Sequence, residues 1–136
     1  MTCPGDANAT LRSWVSLAIA LLAAAPPVTA DTRTTGEAVY TKAQAKAGGV
    51  LYKEHCLVCH DKKYFRPVLK RWNGQTAAIL FDVMAGSMPE SNPGGLLDQE
   101  YVDILAYIFS LSRYPSGEQV LDHRDGALGG IVIEDP

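Results

Sequence analysis

After residue 40, hydrophobic positions recur at helical spacing in three separate stretches of the chain. The first stretch begins at Thr41, which together with Gln44 three residues later is typical of a capping box that starts a helix. Its apolar positions lie three or four residues apart, as on one face of an α-helix. These positions are Ala45, Gly49, Tyr52 and Cys56. The pattern therefore predicts one helix that begins at Thr41 and leads to Cys56.

The other two stretches predict a short middle helix and a longer last helix. The middle helix is expected to begin at Thr76 and to end near Gly86. Its apolar positions are Leu80, Phe81, Val83 and Met84. The last helix is expected to be capped by Asp98 and to carry acids in its first turn, where the helix dipole favours negative charge. Its predicted buried stripe consists of Tyr101, Ile104, Leu105, Ile108 and Leu111.

Two glycines, Gly48 and Gly49, stand inside the first predicted helix. Each glycine costs roughly 1 kcal/mol relative to alanine in a helix interior. A glycine pair in this place therefore indicates that another backbone or an aromatic ring packs directly against the helix. The last helix is the expected partner, so the first and last helices are expected to cross.

The C-terminal segment from Pro115 onward contains many glycines and acids, a composition typical of loops. Ile131 and Ile133 alternate with Val132 and Glu134. This alternation allows a short edge strand or an extended segment that lies on the body of the protein. The predicted fold class is all-α, with an extended C-terminal tail.

The first thirty residues form a separate segment. Arg12 precedes a nearly uncharged run from Trp14 to Ala25, which is followed by two prolines and by a small-residue site that ends at Ala30. This order is typical of a cleaved signal peptide. Because the run is shorter than the roughly 20 residues that span a bilayer, no stable membrane span is expected. The sequence thus predicts a signal peptide at residues 1–30 and one exported, periplasmic domain at residues 31–136.

Composition and charge narrow the possible functions. A length of 136 residues favours a single domain, and a net charge of -3 argues against binding to nucleic acid. The charge is unevenly distributed along the chain. Residues 42–71 carry eight bases against two acids, and residues 81–136 carry ten acids against two bases. Such a charge dipole can orient a protein as it meets a charged partner.

The segment Cys56-Leu57-Val58-Cys59-His60 has the C-x-x-C-H pattern of covalent haem attachment. Placed at a helix end, its two thiols can form thioethers with the vinyl groups of one haem, while His60 becomes the proximal iron ligand. Two other chemistries share part of the pattern. A thioredoxin-like pair would follow a strand of a βαβ unit, and a zinc site would need a second pair of ligands. The sequence after residue 30 predicts no such strand and contains no other cysteine.

With this motif near its start, the chain after residue 30 resembles class I c-type cytochromes. More narrowly, several blocks resemble small monohaem cytochromes that accompany, or are fused to, bacterial quinoprotein alcohol or sugar dehydrogenases. The blocks are Arg71–Thr76, Leu80–Phe81, Ser87–Pro89, Asn92–Gly94 and Tyr101–Ile108. The resemblance implies a cytochrome c fold, in which the N- and C-terminal helices cross around one covalently attached haem c.

The distal iron ligand is predicted to be Met88, in the loop Gly86–Pro89. Glycine permits a tight turn there and proline fixes φ, so that a thioether can be held against iron. Met84, one helical turn earlier, is the competing candidate, and its other role is a flexible filler against the haem ring. The middle helix, with Leu80 and Met84, is expected to line the haem pocket.

The resemblance also suggests roles for two residues between His60 and the middle helix. Trp72 is expected to line the pocket with its indole N–H directed at a haem propionate. The neighbourhood of Pro67 is expected to supply the carbonyl that accepts the His60 Nδ1 proton. Of the other histidines, His55 is expected to be solvated. His123 could be a ligand only if the tail folded over the distal side.

The predicted function is that of an electron carrier and not of an enzyme. The carrier would exchange single electrons with redox proteins, such as a quinoprotein dehydrogenase as donor and a terminal oxidase as acceptor. His/Met ligation raises the reduction potential. Two alternatives remain open at this stage. One is a haem enzyme or gas sensor, peroxidase-like, with a displaceable distal Met88, and the other is a structural subunit of a dehydrogenase complex.

Overall fold

The computed structural model describes residues 32–136, so the predicted signal peptide at residues 1–30 lies outside the described part. Residues 32–136 are mostly helical, which confirms the all-α fold class. Their four α-helices are α1 (Lys42–His55), α2 (Phe65–Arg71), α3 (Ala77–Ser87) and α4 (Asp98–Leu111). Two short strands, β1 (Arg33–Thr34) and β2 (Ile131–Val132), pair in parallel. Short 3-10 segments occur at Thr35–Glu37 and at Arg124–Gly130.

The start of α1 follows the prediction, because the Thr41 hydroxyl accepts a hydrogen bond from the Gln44 N–H at 3.1 Å. The Gln44 side chain, however, does not return to Thr41. It donates to the Leu121 carbonyl at 2.8 Å and to the Asp103 carboxylate at 3.0 Å, and it accepts the Leu121 N–H at 2.8 Å. The buried amide of Gln44 therefore joins α1 to α4 and to the C-terminal tail.

The predicted crossing of the first and last helices is confirmed. A Cβ atom placed on Gly48 would lie 1.7 Å from the Asp103 carbonyl oxygen, and one placed on Gly49 would lie 3.1 Å from the Tyr107 ring. One glycine thus faces backbone and its neighbour faces an aromatic ring. The two helices approach more closely than any residue with a side chain would allow.

The bounds of the other two predicted helices are nearly as expected. Thr76 caps α3, and its hydroxyl accepts the Ile79 N–H at 3.4 Å. In α4, Asp98 is the first helical residue and Leu97 is the N-cap, so the predicted capping by Asp98 is wrong by one position. The Glu100 carboxylate accepts the Leu97 N–H at 2.8 Å and stabilises the helix start in place of Asp98.

The helix α2, which covers Phe65–Arg71, was not predicted from the sequence. Pro67 lies in its first turn, where proline is tolerated because the N–H groups there have no partner within the helix. Leu69 is fully buried and anchors α2 to the core, which consists mainly of the apolar faces of α1, α3 and α4.

The C-terminal tail forms the short strand that the sequence allowed. Ile131 and Ile133 are buried, and β2 pairs with β1. Ile133 also donates its N–H to the Gln75 carbonyl at 2.9 Å and accepts the Gly74 N–H at 2.8 Å. The tail therefore packs on the segment that connects α2 to α3. None of the helices in residues 32–136 is both long and apolar enough to cross a membrane.

Candidate functional site

A cavity of about 310 Å³ lies between the end of α1 and the helices α2, α3 and α4. Seven of the eight predicted site residues line it, although they come from distant parts of the chain. These are Cys56, Cys59, His60, Trp72, Leu80, Met84 and Met88. The fold thus brings a pair of thiols, an imidazole and two thioethers to one mostly apolar space.

The two cysteines lie in a tight turn at the C-terminal end of α1. The Cys56 carbonyl accepts the N–H groups of Cys59 and His60, at 3.1 and 2.8 Å. Both thiols are free: Cys56 is half-buried and Cys59 is exposed. Burial raises the pKa of the Cys56 thiol to about 11. A thioredoxin-like cysteine has a lowered pKa, so this environment does not favour the thiol–disulfide interpretation.

His60 presents an unsatisfied nitrogen. Its Nδ1 is buried and has no hydrogen-bond partner within residues 32–136. The imidazole packs against the rings of Tyr64 and Phe65, with centroid distances of 4.4 and 5.5 Å. Nδ1 is the nitrogen that was expected to donate to a carbonyl near Pro67, so the partner of this buried polar atom is missing, at a cost in free energy.

The backbone of His60 is hydrogen-bonded to Tyr52, a buried residue of α1. The Tyr52 hydroxyl donates to the His60 carbonyl at 2.6 Å and to the Asp61 carbonyl at 3.1 Å. The pKa of Tyr52 is raised to about 12, mainly by burial and to a smaller extent by the nearby Cys56 thiol. The hydroxyl therefore keeps its proton at neutral pH and remains a donor.

Met88 lies directly after α3, and its backbone N–H still donates to the Met84 carbonyl at 2.8 Å. Its own carbonyl accepts the Tyr101 hydroxyl at 2.6 Å. Met84 is almost completely buried in the core, whereas Met88 is half-buried at the cavity. The two thioethers therefore differ in their surroundings, as a core filler and a loop residue would.

Pro67 is the predicted site residue that the structure places elsewhere. It is exposed and does not line the cavity, although its neighbour Val68 does. A carbonyl inside a helix points along the axis toward the residue four positions later. Because Pro67 belongs to α2, its carbonyl is directed along the helix, and the expected hydrogen bond with His60 Nδ1 is not formed.

The other two histidines lie in different surroundings, His55 at the cavity and His123 away from it. His55 is only partly solvated: its side chain is 29% exposed, and it borders the cavity. His123 stacks on Phe81 with a centroid distance of 6.1 Å and an interplanar angle of 9°. Neither His123 nor Phe81 lines the cavity. Phe81 thus faces the tail, which departs from the expectation that it would line the pocket.

Several lining residues were not singled out from the sequence. Tyr64 and Phe65 follow His60 by four and five residues, so their proximity was a usable signal. Ile104 and Ile108 of α4 were predicted to be buried, and the structure shows that part of that stripe faces the cavity. Their helical pattern alone could not distinguish core packing from cavity lining.

Comparisons with protein-family models, with curated proteins and with solved structures give no match. Within residues 32–136, no three His, Cys, Asp or Glu side chains come together in a way that could hold a metal ion. The zinc interpretation of the cysteine pair thus lacks the further ligands that it requires.

Proposed function

We propose that this protein is an exported monohaem c-type cytochrome that carries single electrons between a periplasmic donor and a respiratory acceptor. The observation that carries the proposal is the meeting of Cys56, Cys59, His60 and Met88 at one apolar cavity. The first three are adjacent in sequence, but Met88 is 28 positions beyond His60 and reaches the same space only through the fold.

Each of these four residues has a role that suits its chemistry. Cys56 and Cys59 would hold haem c through two thioethers, and His60 and Met88 would provide one axial ligand each. When bound, haem would supply the one-electron redox chemistry. With both axial positions taken by the protein, no substrate needs to bind at the iron.

The remaining residues of the cavity would keep water away from the cofactor. Leu80, Met84, Ile104 and Ile108 supply an apolar lining from α3 and α4. Trp72, at the end of α2, would contribute an aromatic ring with one N–H donor. An apolar surrounding of this kind affects the reduction potential of an iron centre.

The proposal is tested by expressing the chain with an export and haem-ligation system and measuring its mass and visible spectrum. We expect one haem per chain, retained through acid-acetone extraction, with reversible oxidation and reduction. A Cys56→Ser/Cys59→Ser variant is the matched control and should lose all covalent haem. Apoprotein of unshifted mass would refute the proposal. Rapid binding of carbon monoxide to the reduced protein at neutral pH would favour a gas-binding enzyme or sensor.

The partners we propose are redox proteins, with a quinoprotein dehydrogenase as a donor and a terminal oxidase as an acceptor. A surface beside the cavity supports docking. Val58 is 88% exposed, and the neighbouring Cys59, Lys62 and Lys63 are exposed as well. An apolar contact flanked by bases suits an acidic docking surface on a partner, since opposite charges steer encounter.

Charge reversal of Lys62 and Lys63 to glutamate is expected to slow electron transfer from an acidic quinoprotein dehydrogenase about tenfold at low ionic strength. It should also flatten the salt dependence of the rate, because less attraction remains for salt to screen. The reduction potential should stay nearly unchanged. Stopped-flow measurements of the bimolecular rate across a salt series would check this result.

The matched control for this experiment is charge reversal of Lys42 and Lys46. Both are exposed and lie in the first half of α1, which is about 21 Å long at 1.5 Å per residue. The control changes the net charge equally but far from the cavity. Equal slowing by both pairs would contradict local docking at Lys62 and Lys63.

A further inference from the structure

The two proposed axial ligands share a feature of their backbone. The carbonyl of His60 accepts the Tyr52 hydroxyl at 2.6 Å, and the carbonyl of Met88 accepts the Tyr101 hydroxyl at 2.6 Å. Both tyrosines are buried, with exposed fractions of 1% and 2%. Each proposed ligand is therefore connected to the core by a side-chain hydrogen bond from another element.

The two tyrosines belong to one rigid unit, since Tyr52 is on α1 and Tyr101 is on α4. These helices touch backbone to backbone where Gly48 meets Asp103. Gly48 precedes Tyr52 by four residues, about one helical turn, and Asp103 follows Tyr101 by two. The Tyr52 ring also packs on Tyr107 of α4, with a centroid distance of 5.2 Å. The helix crossing therefore fixes the positions of the two hydroxyls relative to each other.

Met88 is also held by α3, because its N–H donates to the Met84 carbonyl at 2.8 Å, but the chain that follows it has few connections to other elements. In the described structure, the backbone hydrogen bonds of residues 89–96 stay within the segment, such as Asn92 N–H to the Pro89 carbonyl at 2.8 Å. In the turn after α1, the His60 N–H likewise bonds locally, to the Cys56 carbonyl. The hydroxyls of Tyr52 and Tyr101 thus add to this local bonding one side-chain hydrogen bond from the core to each ligand backbone.

We propose that Tyr52 and Tyr101 are positioning residues, which hold the backbones of His60 and Met88 against the crossed α1–α4 pair. Their combined effect is to set the separation between the two sides of the cavity. The assignment of His60 and Met88 as ligands rests on the proposed function. A ligand held in this way keeps its place in both oxidation states, which suits an electron carrier because little rearrangement accompanies each transfer.

Tyrosine-to-phenylalanine substitutions test this inference, because each removes one hydroxyl and keeps the ring. Tyr40→Phe is the matched control, since the buried Tyr40 hydroxyl donates to the Tyr114 carbonyl at 2.7 Å and Tyr40 does not line the cavity. The first measurement is amide hydrogen exchange followed by mass spectrometry on the full chain as expressed. Tyr52→Phe should accelerate exchange about fivefold or more in residues 57–64, and Tyr101→Phe should do so in residues 86–92.

The second measurement is made on the haem-loaded protein. Tyr101→Phe should weaken the sulfur-to-iron charge-transfer band of the oxidised form and allow slow binding of carbon monoxide to the reduced form. Tyr52→Phe should shift the reduction potential while leaving that band in place, because it loosens the side of His60. Tyr40→Phe should leave the band, the potential and carbon monoxide binding as in the unmodified protein.

Two outcomes would overturn the inference. One is exchange in residues 57–64 and 86–92 that matches the unmodified protein. The other is faster exchange across the whole chain, equal to that of Tyr40→Phe, since this would indicate only a loss of global stability. The exchange measurement needs no haem. If the chain carried none, the proposed function would fail while the exchange result would still decide whether the two tyrosines hold these segments.

Discussion

Replacement of Met88 by alanine is expected to abolish the weak red sulfur-to-iron charge-transfer band of the oxidised, haem-loaded protein. It should also lower the reduction potential by on the order of 0.1 V, because loss of the thioether removes the ligand that favours reduced iron. The reduced protein should bind carbon monoxide, since the vacated axial position is open to a small ligand. Visible spectra and a redox titration of purified protein would measure all three effects.

The control for Met88→Ala is Met84→Ala in the same helix region. Met84 lines the same cavity but is almost completely buried in the core. Its truncation should cost about 2–5 kcal/mol of stability through lost packing and leave the charge-transfer band in place. If Met84→Ala abolished the band and Met88→Ala kept it, the assignment of the distal ligand would be reversed.

Replacement of Gly48 by alanine is expected to destabilise the protein by about 3 kcal/mol or more, or to prevent folding. The new Cβ would lie 1.7 Å from the Asp103 carbonyl oxygen, and a backbone atom cannot move aside as a flexible side chain can. The helices α1 and α4 would have to separate. Denaturant unfolding of the variant and of the unmodified protein would measure the difference.

Two other glycines provide graded controls for this effect. Gly49→Ala would place its Cβ 3.1 Å from the Tyr107 ring, which can shift slightly, so its cost should be smaller. Gly86→Ala, inside α3, meets nothing within 4 Å and should be neutral or stabilising by up to about 1 kcal/mol. Equal stability of the Gly48 and Gly86 variants would disprove close backbone contact at the crossing.

The parts of the fold that could be predicted depend on short-range signals. Thr41 and Thr76 each precede a helical pattern, and both hydroxyls accept the N–H three residues later. The glycine pair in α1 predicted a contact with a distant part of the chain. Glycines inside a helix, away from any turn or cap, indicate that another element packs closely against it. The predicted cap at Asp98 was one residue too late because Glu100, the other acid of the first turn, accepts the Leu97 N–H.

The parts that could not be predicted depend on contacts between distant residues. The helix α2 has seven residues and no hydroxyl cap, so its stability comes from the burial of Leu69 and not from local preference. That helix also displaced Pro67 from its expected role. His55 is a different case, since it borders the cavity because it immediately precedes Cys56.

The residues of the candidate site likewise include some that local sequence predicts and some that only the fold reveals. One short sequence motif contains Cys56, Cys59 and His60, so their chemistry could be predicted without knowledge of the fold. Met88 was predicted from the loop signal and the family resemblance, although Gly86 of the predicted loop lies inside α3 and forms no tight turn. The hydroxyls of Tyr52 and Tyr101 meet carbonyls 8 and 13 residues away, and nothing in the spacing of apolar residues marks them as more than core aromatics.

The buried amide of Gln44 has a consequence for the order in which the parts of the chain fold. Its partners are Asp103 and the backbone of Leu121, which lie 59 and 77 residues later. Until these partners have docked on α1, the amide must stay hydrated. A chain that ended before Leu121 could still cross α1 over α4, but it would bury a carboxamide with most of its hydrogen bonds unmade. Gln44 therefore makes the finished core depend on a contact that spans 77 residues, so docking of the tail is expected to be a late event in folding.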